Sequence, residues 1–120
     1  MKISQFLHSA ILVSDLDKSN YFYGKILNLK QIERSLTFAG IWYQVGEFQL
    51  HIIAANQVTL DTVDEEKWGR NRHLAFLIED IEPAKQRLTD YHYPFQMSSS
   101  GRAALFVKDP DGNIIELNQA

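Results

Sequence analysis

Cysteine is absent from all 120 residues. Disulfides, thiolate metal sites and cysteine nucleophiles are therefore excluded. Basic charge is in short supply too: 12 Lys and Arg stand against 15 Asp and Glu, a formal charge of −3. The cations are scattered rather than clustered, so nucleic acid is not an expected partner. No apolar run is long enough to cross a bilayer, so no membrane partner is expected either. Nor do the first residues carry a signal-peptide pattern, because Ser4, Gln5 and His8 break up the apolar stretch after Lys2. A cytoplasmic setting is the expectation. Hydrophobic residues make up 45% of the chain, an ordinary share that at this length fits one domain with a substantial core.

What the chain does contain is an internal repeat. One stretch reads His8-Ser-Ala-Ile-Leu-Val-Ser-Asp15-Leu-Asp, and a second reads His73-Leu-Ala-Phe-Leu-Ile-Glu-Asp80-Ile-Glu. The offset between them is 73 − 8 = 65, and the same offset carries His51 onto Glu116. Four side chains able to bind a metal thus fall on two equivalent pairs, His8/His73 and His51/Glu116. Folding does not require a polar residue at both members of each pair. The repeat therefore points to a site near the pseudo-twofold axis that relates the copies.

Local patterning gives each copy the order strand, helix, strand, strand, strand. Residues 6–13 predict a mostly buried strand. Asp15 or Asp17 can cap a helix running to about residue 28, with Leu16, Tyr21, Phe22, Ile26 and Leu27 on its apolar face. Strands are expected near 29–36, 40–46 and 48–54, punctuated by Gly40 and Gly46. Residues 1–54 thus form a first module. Residues 55–71 are polar and aperiodic and read as a linker, and residues 72–120 form the second module. The second module starts with a strand at 72–78 and a helix at 80–91, with Pro83 in the first turn, where its missing N–H matters little. Further strands are expected near 93–97, 102–108 and 113–118. Asp109-Pro-Asp-Gly112 is a turn, making 102–118 a hairpin. The fold class is α+β, an internally paired βαβββ domain; two copies are too few for a solenoid.

Strand alternation assigns neighbours to each candidate. Phe6, Ala10 and Leu12 share a face with His8, Gln49 and Ile53 with His51, and Ile114 and Asn118 with Glu116. A part-buried carboxylate at Glu116 is costly unless it is paired or bound to a cation. Histidine with carboxylate suits divalent zinc, iron, nickel, cobalt or manganese. Taken singly, each candidate has an ordinary structural explanation; Glu116, for instance, could pair with Arg102 or Lys108. Their shared offset favours a metal site. His92 lies outside the pattern and reads as a surface residue.

These residues bring a resemblance into view. The chain resembles the vicinal oxygen chelate superfamily, which includes glyoxalase I, fosfomycin thiol transferases, extradiol dioxygenases and bleomycin-binding proteins. The similarity covers essentially the whole sequence. It is carried by His8 with Val13-Ser-Asp15-Leu-Asp17-Lys-Ser19 and Phe22-Tyr23, and by His73 with Leu74-Ala-Phe and Asp80. Most specific is Phe106-Val-Lys-Asp109-Pro-Asp-Gly112-Asn-Ile-Ile-Glu116-Leu117. The resemblance implies paired βαβββ modules whose curved sheets cup a divalent metal. It also implies His8, His73 and Glu116 as ligands. His51 stands where glyoxalase I usually has a glutamate, and no pattern for glutathione recognition is evident.

Three ligands on an octahedral metal leave three open positions, as an extradiol dioxygenase needs. With His51 as a fourth ligand two remain, enough to chelate a small oxygenated substrate for proton transfer. Four candidates thus favour a glyoxalase I-like lyase or isomerase, with Glu116 and His51 as the catalytic groups. Thiol transfer to an epoxide is a second possibility, with Arg34, Arg70, Arg72 and Arg102 available for a phosphonate. A metal-free binding module is a third, with Phe38, Trp42, Tyr43 and Phe95 lining a cavity. The resemblance further implies a homodimer whose sites are shared across the interface.

Overall fold

A computed structural model describes residues 1–35 and 37–120. Its chain runs through β1 (His8–Val13), α1 (Leu16–Asn20), a π-helical segment (Tyr21–Ile26), β2 (Lys30–Ile32), β3 (Gly40–Val45) and β4 (Phe48–Ala54). A 3₁₀ turn (Trp68–Arg70) precedes β5 (His73–Ile78), α2 (Ile81–Asp90), β6 (Phe95–Met97), β7 (Ala104–Lys108) and β8 (Ile114–Gln119). Two compact units result, Met1–Val58 and Thr59–Ala120. Each holds one four-stranded mixed sheet, in the orders β1-β4-β3-β2 and β5-β8-β7-β6. The α+β class and the twofold strand–helix–three-strand plan expected from the repeat are both present.

Both helices start where the repeat places an aspartate. Asp15 is the N-cap of α1 and accepts from the Lys18 N–H, while Asp80 caps α2 and accepts from the Glu82 N–H. Such caps satisfy N–H groups that have no partner inside the helix. The first helix then departs from the simple pattern. The Leu27 N–H donates to the Phe22 carbonyl, five residues back, so the turn is π rather than α. The wider turn shifts the buried face. Tyr23 joins Phe22 and Ile26 in the core, whereas Tyr21, expected on that face, is exposed. Asn20 and Gly24 complete the arrangement: the Tyr43 hydroxyl donates to Asn20 Oδ1 at 2.7 Å. A Cβ on Gly24 would lie only 2.7 Å from that same oxygen.

Several strands are shorter than expected, for local reasons. The first starts at His8 rather than residue 6, and Phe6 packs edge-on against Phe48 instead. Leu29 is taken up by the helix end, its N–H donating to the Tyr23 carbonyl; β2 therefore opens at Lys30. The far end of that expected strand, residue 36, lies outside the described residues. The Tyr93 N–H closes α2 by donating to the Leu88 carbonyl, and His92 takes a φ of 63°, so β6 waits until Phe95. Gly101, at φ 81°, and a turn from the Ala104 N–H to the Arg102 carbonyl delay β7. The hairpin joining β7 to β8 is as expected. Asp109 Oδ1 accepts from the Asp111 and Asn113 N–H groups, and Gly112 supplies a φ of 86°.

In each unit the helix covers one sheet face. Val13, Tyr43, Leu50 and Ile52 are buried in the first unit, and Leu105, Val107, Ile115 and Leu117 in the second. The opposite faces carry the candidate site residues.

Candidate metal and active site

In the first unit the parallel pairing of β1 with β4 sets Ala10 opposite His51 and His8 opposite Gln49. Antiparallel pairing of β3 with β4 sets Trp42 directly opposite His51. Three rings consequently form a stack. His8 lies on His51 with ring centres 4.1 Å apart and planes 16° apart, and Trp42 lies on its other face at 3.9 Å and 5°. Held between two rings, His51 keeps only 7% of its exposure. Burial lowers its pKa first of all, and the nearby positive charges of His8 and Arg34 lower it further. Neutral imidazole is the form that binds a metal or accepts a proton. Gln49 Oε1 accepts from His51 Nε2 at 2.8 Å, which leaves Nδ1 as the unprotonated nitrogen.

The second unit repeats this layout with a different pair. Ala75 faces Glu116 across β5 and β8, and Phe106 faces Glu116 across β7 and β8. Phe106 thus stands where Trp42 stands in the first unit, edge-on to the His73 ring at 5.5 Å. His73 Nδ1 lies 2.7 Å from the Asn71 carbonyl oxygen. A carbonyl only accepts, so Nδ1 carries a proton, and in the neutral ring Nε2 presents a lone pair. Nε2 faces Glu116 Oε1 at 3.6 Å. The other carboxylate oxygen accepts from the Asn118 amide. Arg102 approaches Oε1 at 3.5 Å, the pairing considered from sequence, whereas Lys108 pairs with Glu65 instead.

Glu116 is 5% exposed, and a carboxylate so buried is costly unless it is paired with a cationic side chain or bound to a metal. An oriented imidazole with its far nitrogen fixed by a carbonyl, next to a carboxylate, is the donor set that divalent zinc, iron, nickel, cobalt and manganese accept. The structure thus brings the four sequence candidates together as two pairs, His8 with His51 and His73 with Glu116. Among the described residues, no group of three or more His, Asp or Glu side chains is placed to hold a metal.

Other candidates scatter. His92 is exposed, as expected. Tyr43 is fully buried on the helix side of its sheet, so it lines no cavity on the site face; burial raises its hydroxyl pKa. Phe38 is 47% exposed and lies under Arg34, while Phe95 and Trp42 are half-buried. Arg72 pairs with Asp61. Two residues escaped sequence reasoning. Asn71 sits in the stretch taken as an aperiodic linker. Its side chain accepts from the Val63 and Asp64 N–H groups and donates to the Asp64 and Trp68 carbonyls. Asn118 was placed on the right face, but nothing in its spacing marked it as the partner of Glu116.

Residues 5–117 match the family model of the Glyoxalase/Bleomycin resistance protein/Dioxygenase superfamily. The chain belongs to that superfamily. A relative from Synechocystis sp., named "Probable lactoylglutathione lyase", is 31% identical over 94% of this chain and 93% of its own. The crystal structure of a glyoxalase family protein from Enterococcus faecalis is 25% identical, covers 99% of this chain and 100% of its own, and superposes with a TM-score of 0.76. A variant of the fosfomycin resistance protein FosX from Listeria monocytogenes, solved with Mn(II) and a dihydroxypropylphosphonic acid, is 18% identical. It covers 99% of this chain and 94% of its own, with a TM-score of 0.78, and so shares the fold.

Proposed function

We propose that this protein is a metal-dependent enzyme, a glyoxalase I-like lyase or isomerase acting on a small chelating oxygenated substrate. The observation that carries the proposal is His73 Nε2 facing the buried carboxylate of Glu116 at 3.6 Å, with an Nδ1 proton committed to the Asn71 carbonyl. The names of the curated relatives support it, as does the manganese bound by one structural neighbour. His8, His51, His73 and Glu116 would hold the ion. Bound there, it would stabilise oxyanion charge on the substrate as a Lewis acid.

The remaining work falls to the chain's own groups. Asn118 fixes one carboxylate oxygen of Glu116 and leaves the other turned toward His73 and Arg102. Stacking by His8 and Trp42 holds the plane of the His51 ring. A neutral imidazole with a free Nδ1 can either join the metal or accept a proton, and Glu116 is the only carboxylate of the four. Each unit supplies two of the four ligands. A homodimer in which His8 and His51 of one chain work with His73 and Glu116 of the other is the assembly that follows, with a small molecule as substrate.

The test is elemental analysis of protein purified without a histidine tag, followed by reconstitution and a screen on hemithioacetals, catechols and fosfomycin. Turnover of a hemithioacetal by metal-loaded protein is the expected result. Ring cleavage of a catechol with O₂ uptake, or thiol addition to fosfomycin, without hemithioacetal turnover would overturn the lyase assignment.

A further inference from the structure

The two copies of the repeat differ in where they place an amide beside the candidate site. Gln49 stands two residues before His51 on β4, so both side chains leave the same face of the sheet. Adding the offset of 65 to Gln49 gives Ile114, and subtracting it from Asn118 gives Ile53. Each unit therefore sets one amide next to His51 or Glu116, and the other copy has isoleucine at that place. Ile114 is 4% exposed, so an apolar residue serves the fold there. An amide at residue 49 calls for a reason beyond folding.

The geometry supplies one. His8 and Trp42 cover the two faces of the His51 ring at 4.1 and 3.9 Å, so only its edge can take a ligand or pass a proton. One edge nitrogen, Nε2, lies 2.8 Å from Gln49 Oε1. The strand that carries Gln49 is pinned on both sides, by β1 at His8 and by β3 at Gln44. Its main-chain N–H donates to the Leu7 carbonyl at 3.1 Å. The Gln44 amide is spent elsewhere, donating to the Gly46 and Phe48 carbonyls. The permanent charge of Arg34 acts on the His51 ring. Positive potential there favours an amide that turns its oxygen, the negative end of its dipole, toward the ring. An amide oxygen only accepts, so the hydrogen of the neutral ring belongs on Nε2.

We infer that Gln49 is a positioning residue that selects the tautomer of His51. It holds the hydrogen on Nε2 and reserves Nδ1 as the atom through which His51 takes a metal or a proton. The second unit makes the opposite choice by another route. There a main-chain carbonyl, that of Asn71, holds a hydrogen on His73 Nδ1 at 2.7 Å, and Nε2 faces Glu116. A hydrogen bond to one ring nitrogen decides which nitrogen of a histidine remains available. The use of Nδ1 for a metal or a proton rests on the enzymatic reading above; the tautomer itself does not.

The experiment reads the histidine ring nitrogens of metal-free, full-length protein by NMR at about pH 8.5, where histidine is neutral. Couplings to the ring hydrogens tell the two nitrogens apart, and their shifts tell which one carries hydrogen. Native protein should show hydrogen on His51 Nε2 and a bare Nδ1. Gln49→Glu, which can only accept, should keep that pattern. Gln49→Lys, which can only donate, should move the hydrogen to Nδ1. Gln49 is half-buried, and unchanged amide resonances of β3 and β4 verify that both variants fold. Zinc is then added to native protein. The Nδ1 resonance should shift while Nε2 keeps its hydrogen. A bare Nε2 in native protein, or the same tautomer in Gln49→Lys as in Gln49→Glu, would overturn the role of Gln49. Zinc bound through Nε2 would overturn the assignment of Nδ1. A protein that takes up no zinc contradicts the metal-enzyme reading and leaves the tautomer result standing, so the two failures are told apart.

Discussion

His73 Nε2 and Glu116 Oε1 face each other at 3.6 Å across the site face of the second sheet. The Asn71 carbonyl holds a proton on His73 Nδ1, so in the neutral ring Nε2 turns its lone pair toward the carboxylate. The arrangement calls for a cation, and Arg102 meets the need only from one side at 3.5 Å. Asn118 holds the remaining carboxylate oxygen. Outer partners of this kind orient a ligand and tune its basicity. Asn118→Ala should therefore lower divalent-metal affinity by about 10- to 100-fold while leaving the fold intact. Competition with a chromogenic chelator measures it. Unchanged affinity would show that Glu116 needs no such support.

His51 makes stability of the metal-free protein depend on pH. Burial, then the charges of His8 and Arg34, depress its pKa from 6.5 in the folded chain. In the unfolded chain the ring takes up its proton near 6.5. Between the folded and unfolded values the unfolded state binds the extra proton. The His51 contribution is therefore complete above 6.5 and is lost as pH falls through the depressed folded value. Urea unfolding at about pH 7.5 and about pH 5.5 should show a larger acid loss for the native chain than for His51→Gln. Equal losses would contradict the assignment.

Asn71 tests the second unit's framework. Its side chain satisfies two N–H groups and two carbonyls between Val63 and Trp68, and it is 7% exposed. Asn71→Ala should cost about 1–2 kcal/mol by leaving part-buried partners unmatched. Denaturant midpoints report the loss. The Asn71 main-chain carbonyl that orients His73 survives the substitution, so metal affinity should fall far less than stability.

Shared assembly is tested by complementation. His8→Ala and Glu116→Ala proteins, each inactive, are unfolded and refolded together. If a site draws its two pairs from different chains, mixed dimers regain one intact site, and activity should return to about a quarter of native. Proven mixed dimers that stay inactive, or a native chain that runs as a monomer at micromolar concentration, would rule the arrangement out.

Much of this was legible because a strand's period of two carries a side chain's direction directly. The 65-residue offset placed His8, His51, His73 and Glu116 on equivalent strands, and the register sets Ala10 opposite His51 and Ala75 opposite Glu116. Asp15, one of two cap candidates, marked the first helix start, and Asp109 with Gly112 the hairpin. Other features depend on contacts remote in sequence. Nothing local says that Tyr43 waits to receive Tyr23 and Asn20, and so the sequence pattern alone predicts an ordinary helix with Tyr21 inward. Asn71 gains its role only when 63–68 folds back over it, which no periodicity encodes. The Trp42–His51–His8 stack needs the pairing of three strands, two of them joined in parallel across the whole unit.

The most direct test is the affinity of the untagged native chain and of Glu116→Ala for manganese, nickel and zinc, measured by calorimetry. Glu116 is the anionic member of the set and the partner that His73 Nε2 faces. Its removal should weaken binding by at least about 100-fold, a loss near 3 kcal/mol, and more than removal of His51 does. A Glu116→Ala protein that binds these metals with native affinity would contradict the assignment of the site.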